Sequence, residues 1–187
     1  DVPEILAMIQ GLADYESASS KVEATEESLL QTLIFATPAT DISSTSTASP
    51  TTTTTTTTIE HASPGYAKTL LLRLPTSLSE SDRAANFTPG AVAGMAMYFN
   101  NYSTWRSKPG VYLEDLFVKP QYRKRGYGKA LIQALAQEVV RIGGGRLEWS
   151  CLKSNTASLA FYKSLGAEQM VDWVQLRVDG ERLERLA

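Results

Sequence analysis

The sequence predicts an α/β chain built on a mixed sheet, and three observations carry that reading. Apolar residues recur at helix spacing near the start of the chain and again after residue 126. Between residues 67 and 118 the pattern changes to strand-like runs broken by Pro, Ser, Asn and Gly. A basic, glycine-bearing stretch then joins the last of those strands to a helix. With 187 residues, 43% of them hydrophobic, the chain can bury one substantial core.

In chain order, Val2, Ile5, Ile9 and Leu12 mark the first helix, with Leu6 and Met8 beside them. Thr25 is a good N-cap for a second, since Glu26 and Glu27 fall in the positive first turn and Leu29, Leu30 and Leu33 follow. Between Thr37 and Thr58, 16 of 22 residues are Ser or Thr, so this stretch cannot bury enough apolar area to order itself. It is expected to be a disordered insertion, of which surface-loop expansion is the simpler reading and a glycosylated or phosphorylated tether the other. Ala67 to Leu74, Ala91 to Asn100 and Gly110 to Val118 read as strands, the first two as an antiparallel pair joined by a long polar loop. A helix from Tyr127 to Ile142 buries Leu131, Leu135, Val139 and Ile142 and stops at Gly143-Gly144-Gly145. Arg146 to Leu152 is a further strand, with Leu147, Trp149 and Cys151 on one face. A helix from Thr156 to Leu165 follows, and two last strands are expected near Ala167–Met170 and Trp173–Val178.

Composition excludes several classes. A single cysteine, Cys151, is incompatible with a disulfide scaffold and is expected to be a small buried residue on its strand. The longest apolar run, Ala91 to Phe99, is half of what a spanning helix needs. The net charge of −2 gives no reason to expect nucleic acid. That charge is unevenly spread: residues 1–66 carry nine acids against one base, and residues 67–187 seventeen bases against eleven acids. The first part therefore suits a cation and the second a phosphate. His61 is the only histidine and lies in the polar insertion, so neither a Ser-His-Asp triad nor a histidine metal site is expected.

The most informative stretch runs from Pro120 to Lys129. Glycines between a strand and a helix let main-chain N–H groups turn toward an anion, and the helix N-terminus adds partial positive charge. Arg123, Lys124, Arg125 and Lys129 add cations, so a phosphate-bearing ligand is implied. A nucleotide-hydrolase loop would need a hydroxyl where Ala130 stands, and the dinucleotide fingerprint would need glycine where Leu131 stands. What remains is Arg-x-x-Gly-x-Gly, with Arg123, Gly126 and Gly128.

This loop resembles the pyrophosphate loop of the GNAT N-acetyltransferases, which use acetyl-CoA as co-substrate. Asn155 to Ala167 resembles the second signature of that family, Asn-x-x-Ser-x-x-Phe-Tyr-x-x-x-Gly, on Asn155, Ser158, Phe161, Tyr162 and Gly166. Leu12-Ala13-Asp14-Tyr15-Glu16, Gly94-Met95-Ala96-Met97-Tyr98 and Tyr112-Leu113-Glu114-Asp115-Leu116-Phe117-Val118 are similar to motifs of its diamine (spermidine/spermine) and thialysine branch. That branch carries Trp, often after Asp, before the Asn of the second signature, where this chain has Lys153-Ser154.

The resemblance implies the GNAT fold, a mostly antiparallel sheet splayed between its fourth and fifth strands, here 110–118 and 146–152, with flanking helices. It implies one domain over residues 1–187 whose first strand lies upstream of Asp1, with the insertion at about 37–66. Leu116, Phe117 and Val118 are expected along the pantetheine arm. Arg123, Lys124, Arg125, Gly126, Tyr127, Gly128 and Lys129 are expected at the pyrophosphate, and Asn155, Ser158 and Tyr162 along the cofactor. Glu114 is expected to act as base through a water, because an alkylamine of pKa about 10.4 must lose a proton before it attacks. Asp115 falls on the opposite face if the strand is regular, and so reads as structural. Tyr15 and Glu16 are expected to bind the cationic tail of the acceptor. Tyr162 is expected to hydrogen-bond the departing thiolate, since full transfer from a phenol near 10 to a thiol near 8.5 is uphill by roughly 2 kcal/mol.

Acetyl transfer from acetyl-CoA to a small primary amine, without a metal, by a cytoplasmic homodimer is therefore the leading expectation. Diamines or polyamines come first as acceptors and lysine analogues second. A protein or peptide N-acetyltransferase and a non-catalytic acyl-CoA-binding regulatory module are the alternatives.

Overall fold

The computed structural model describes residues 1–35 and 65–187, which fall into two compact units, Asp1–Ser150 and Cys151–Ala187. The Thr-rich stretch 37–58 and His61 lie outside the described residues.

The first unit is built on a four-stranded sheet of order β1-β2-β3-β4. Its strands are β1 (Lys68–Arg73), β2 (Val92–Ser103), β3 (Lys108–Val118) and β4 (Leu147–Trp149). β1–β2 and β2–β3 are antiparallel and β3–β4 is parallel, so the sheet is mixed as the sequence predicts. β2 and β3 form a hairpin that turns at 104–107.

Helices α1 (Val2–Tyr15) and α2 (Glu26–Thr32) cover one face. Val2, Ile5 and Met8 of α1 join Leu29, Leu33, Val92, Met95, Met97 and Phe117 in one buried cluster. Gly11 lets α1 approach β3, since a Cβ there would sit 2.9 Å from the Phe117 ring. Lys119 Nζ, just past β3, meets Glu4 Oε2 at 2.6 Å and fixes the start of the same helix. The expected cap of α2 is present as a full capping box: Thr25 Oγ1 accepts from Ser28 N–H, and Ser28 Oγ accepts from Thr25 N–H.

Helix α4 (Tyr127–Arg141) packs on β2 and β3 and buries Leu131, Ile132, Leu135 and Val139. It ends at Gly143, whose φ of +67° suits glycine, with Gly144 N–H returning to Val139 O at 2.8 Å. Between β1 and β2 the long polar loop contains a short helix that the periodicity does not reveal, α3 (Glu80–Ala84), capped by Ser79.

The second unit contains α5 (Thr156–Ser164) and α6 (Gly180–Leu186). Two expectations fail here. No strand forms near Ala167–Met170 or Trp173–Val178, where the residues are exposed and irregular, and the α6 helix was not anticipated. Alternation of Val174, Leu176 and Val178 with Gln175 and Arg177 is a strand pattern, but a strand needs a paired neighbour, and this unit contains none. β4 also stops at Trp149, so Cys151 is half-buried beyond a strand rather than on one.

The described residues at the edges of the Thr-rich stretch are pinned together. Tyr66 N–H donates to Thr32 O and Ile34 N–H to Ala67 O, both at 2.7 Å, around a parallel bridge between Leu33 and Ala67. The fold is thus closed beneath the insertion. Deleting Thr37–Thr58 leaves seven residues between Phe35 and Gly65, which extend to roughly 23 Å. We expect that deletion to leave turnover within about twofold and the melting temperature within about 3 °C, read by steady-state assay and calorimetry. Loss of activity would show that the insertion is more than a loop.

Candidate active site

The candidate site begins where the parallel pairing of β3 with the short strand β4 ends. β4 pairs with β3 only at Val111, Leu113 and the Tyr112 between them, whereas β3 continues to Val118. Tyr112 and Ser150 hydroxyls meet at 2.7 Å where the pairing ends. Past that point β3 has strand β2 on one side alone. Lys119 N–H donates to Ala93 O at 2.9 Å, which sets the alternation: the amides of Phe117 and Lys119 face β2, and those of Leu116 and Val118 face the gap. The gap is therefore lined by main-chain groups that a ligand carrying amides can pair with, like an added strand. Of the three residues expected there, Leu116 and Val118 present their backbone to it. Phe117 instead lies opposite Met95 and buries its ring under α1.

Next to the gap, β3 is irregular. Tyr98 lies opposite Leu113 and Met97 opposite Asp115, so Glu114 is an extra residue, a bulge. The bulge shifts the register. Asp115, opposite Met97, shares the α1 face with Phe117. Glu114 and Glu16 lie within electrostatic reach of it. Burial first, and then the charges of Glu114 and Glu16, together push the Asp115 carboxyl up to about 6. Glu16 is the C-cap of α1, so the helix delivers it and its neighbour Tyr15 to this point. Glu114 is exposed to solvent. A cluster of acids beside an open strand edge can attract a cation.

The other wall is the loop from Arg123 to Lys129. Lys124 has φ of +60° and Gly126 φ of +80°, and left-handed residues so placed turn successive N–H groups to one side. A Cβ at Gly126 would meet nothing within 4 Å, so glycine is needed there for its conformation, not for space. Gly126 caps α4, whose first turn at Tyr127, Gly128 and Lys129 has amides with no preceding helical carbonyls to bind.

The four cations of this loop have different surroundings. Arg123 Nε donates to Val118 O at 2.9 Å, and its guanidinium lies 5.3 Å from the Tyr15 ring centre and 5.5 Å from that of Phe117. Arg125 pairs with Asp82 and stacks 4.6 Å above Phe87. Lys124 and Lys129 are exposed and pair with no carboxylate among the described residues, which leaves them to meet an anion.

In the second unit, α5 carries the remaining candidates. Asn155 is its N-cap, its Oδ1 accepting from Ser158 N–H at 3.1 Å. Tyr162 lies in the last turn, half-buried, with its ring 5.2 Å from that of Phe161. The signature spacing thus has a local cause: it sets a cap at one end of a short helix and an aromatic pair at the other.

Two residues escape sequence reasoning. The placement of Asp115 does so because nothing in the sequence marks a bulge. Asp82 does so although Ser79-x-x-Asp82 is a capping pattern that could have revealed α3.

Comparison with known proteins agrees with this geometry. Residues 60–167 match the family described as Acetyltransferase (GNAT) family. An L-ornithine N5-acetyltransferase of Arabidopsis thaliana is 32% identical over 194 residues, covering 100% of this chain and 83% of that protein. A thialysine N-epsilon-acetyltransferase of Bos taurus is 27% identical over 190 residues, covering 100% of this chain and 92% of its own. Among solved structures, an aminoglycoside acetyltransferase from an uncultured soil metagenomic sample, in complex with sisomicin, superposes with a TM-score of 0.58. That superposition covers 96% of this chain and 91% of the other at 16% identity, and so bears on the fold alone. An integron cassette protein of V. cholerae gives 0.52 over 63% of this chain and 96% of its own, at 22% identity. With the mixed sheet, the loop and the family match in agreement, the chain belongs to the GNAT acetyltransferase family.

Proposed function

We propose that this protein transfers the acetyl group of acetyl-CoA to the terminal primary amine of a small cationic acceptor, by direct attack in a ternary complex. The observation that carries the proposal is the cluster of Asp115 with Glu114 and Glu16, within electrostatic reach of it, beside the open edge of β3. Ornithine and thialysine, named for two relatives, are both amines of this kind.

Acetyl-CoA supplies the activated thioester. The residues present suit it: Leu116 and Val118 offer main-chain partners for the pantetheine amides and an N–H for the thioester oxygen. The amides of 124–129, with Lys124 and Lys129, offer an anion site for the pyrophosphate. Asp115 and Glu16 hold the ammonium end of the acceptor. Glu114, exposed and adjacent, takes the proton through water. Asn155 and Ser158 order the start of α5, and Tyr162 hydrogen-bonds the departing thiolate.

Replacing Tyr162 by Phe is expected to lower turnover at least tenfold with little change in acetyl-CoA affinity. Wild-type turnover in that variant would remove the phenol from the mechanism. The exposed Met170, Val171, Trp173, Val174 and Leu176 supply apolar area that a second copy of the chain would cover, in keeping with a homodimer. Light scattering checks this, and a monomer at micromolar concentration would refute it. A lone cysteine fits a reducing, cytoplasmic setting.

The deciding experiment is turnover of acetyl-CoA with ornithine, thialysine, putrescine, spermidine, spermine, lysine and a short peptide, read as CoA release with the acetylated product identified by mass. Product from an aliphatic amine is the expected result. Product from the peptide alone would assign a protein acceptor. Tight CoA binding with no product from any amine would replace the proposal by a non-catalytic acyl-CoA-binding role.

A further inference from the structure

We infer that Asp82, on the short helix between β1 and β2, is a positioning residue for the acyl-CoA loop and acts through Arg125. The inference rests on the reading that residues 123–129 receive the pyrophosphate of acetyl-CoA. Asp82 is an acid with 8% of its surface exposed. A carboxylate that deep needs a charged partner, and Arg125 is that partner, immediately before Gly126. Both carboxylate oxygens are engaged: Oδ1 accepts from Arg125, and Oδ2 accepts from Ser79 Oγ at 2.6 Å.

The same segment grips the other end of the loop. Phe87 N–H donates to Asp82 O at 3.0 Å, which folds Phe87 back beneath Arg125. The Phe87 ring then meets buried Tyr122 edge-on, with ring centres 4.6 Å apart at 76°. Residues Arg123 and Lys124 thus lie between two fixed points, Tyr122 and Arg125, both held from the β1–β2 connection. Lys124 at φ +60° is a conformation that an unsupported lysine seldom keeps. Asp82 also neutralises Arg125, so the anion site consists of directed main-chain amides and the two lysines, rather than a mobile guanidinium. The clamp sets the loop before the ligand arrives and so lowers the ordering cost of binding.

The test compares wild type with Asp82→Asn, with Arg125→Met and with Asp82→Asn/Arg125→Met. CoA affinity is measured by calorimetry, and kcat and KM are measured for both substrates. We expect Asp82→Asn to weaken CoA about tenfold and raise the KM for acetyl-CoA to match, with kcat and the amine KM within twofold. Asp82→Glu should recover part of the loss, and the double variant should bind CoA no more weakly than Arg125→Met alone. Should Asp82→Asn fail to fold, Arg125→Lys leaves α3 intact and carries the same expectation of weakened CoA. Wild-type CoA affinity in Asp82→Asn or Arg125→Lys would overturn the clamp, as would a fall in kcat with affinity unchanged. A wild-type chain that binds no CoA would overturn the clamp together with the functional reading, and the calorimetry on wild type alone distinguishes that case.

Discussion

Asp115→Asn is expected to make the protein more stable and about 100-fold less active at pH 7.5, through one cause. The carboxyl titrates near 6 in the folded chain, against an ordinary value of 3.8, because burial and two neighbouring acids oppose its charge. Below pH 4 it is protonated in both folded and unfolded states and costs nothing. As pH rises from 4 through 6, the unfolded chain releases the proton more readily, and stability falls. Above 6 the penalty is complete. Two pKa units correspond to just under 3 kcal/mol, or roughly 2 once residual solvent contact is allowed for. Asparagine removes the charge, so the variant gains that stability at pH 7.5 and gains none at pH 3.5. Urea unfolding at the two pH values measures both.

Activity moves the other way. A buried charge held against this penalty is what an ammonium ion would neutralise, so kcat/KM for the amine should rise about tenfold per pH unit up to about 6 as Asp115 ionises. In Asp115→Asn that limb should vanish. A variant that kept both the limb and wild-type kcat/KM would show that the amine binds elsewhere and that the acid cluster is incidental.

The legible parts of this protein are those where pattern and local physics coincide. α1, α2 and α4 announce themselves through apolar spacing and caps, since Thr25 and Gly143 do locally what any such residues do at helix ends. β1, β2 and β3 read correctly because each is an apolar run bounded by turn residues and lies in a paired sheet. The same rule fails at Val174–Val178, where the pattern is present but no partner strand lies beside it among the described residues. Pairing is a tertiary property and leaves no mark on the segment itself. The site divides similarly. The loop is recognisable from Gly126, because left-handed backbone favours glycine and that requirement is local, while Gly128 lies in the first turn of α4. Which of the loop's cations would face a ligand is not, since that depends on Asp82, Phe87 and Tyr15, which are distant in sequence from it. Glu114 and Asp115 show the sharpest case: simple alternation assumes a regular strand, and the unpaired Glu114 shifts the register so that Asp115 falls opposite Met97.

Arg123 is where these distant elements meet, and its replacement gives the second large effect. Its Nε holds the carbonyl of Val118 at the end of the open strand edge. Its plane lies against Phe117, beneath α1, and against Tyr15, next to Glu16 in the acidic cluster. One side chain therefore touches the strand end, the anion loop it belongs to, and the helix end that delivers the acids. Arg123→Leu loses a charge-assisted hydrogen bond and two cation–π contacts, together about 2–4 kcal/mol. With about 2 kcal/mol of that appearing in function, kcat/KM should fall about 30-fold for acetyl-CoA and for the amine alike. Arg123→Lys should recover little of it, because an ammonium ion has no plane to lie between two rings. Steady-state kinetics with each substrate varied in turn decides the matter. A loss confined to acetyl-CoA would reduce Arg123 to a phosphate ligand and leave the Tyr15 stack without consequence. An equal loss in both would mean that the loop and the amine pocket are set by the same residue.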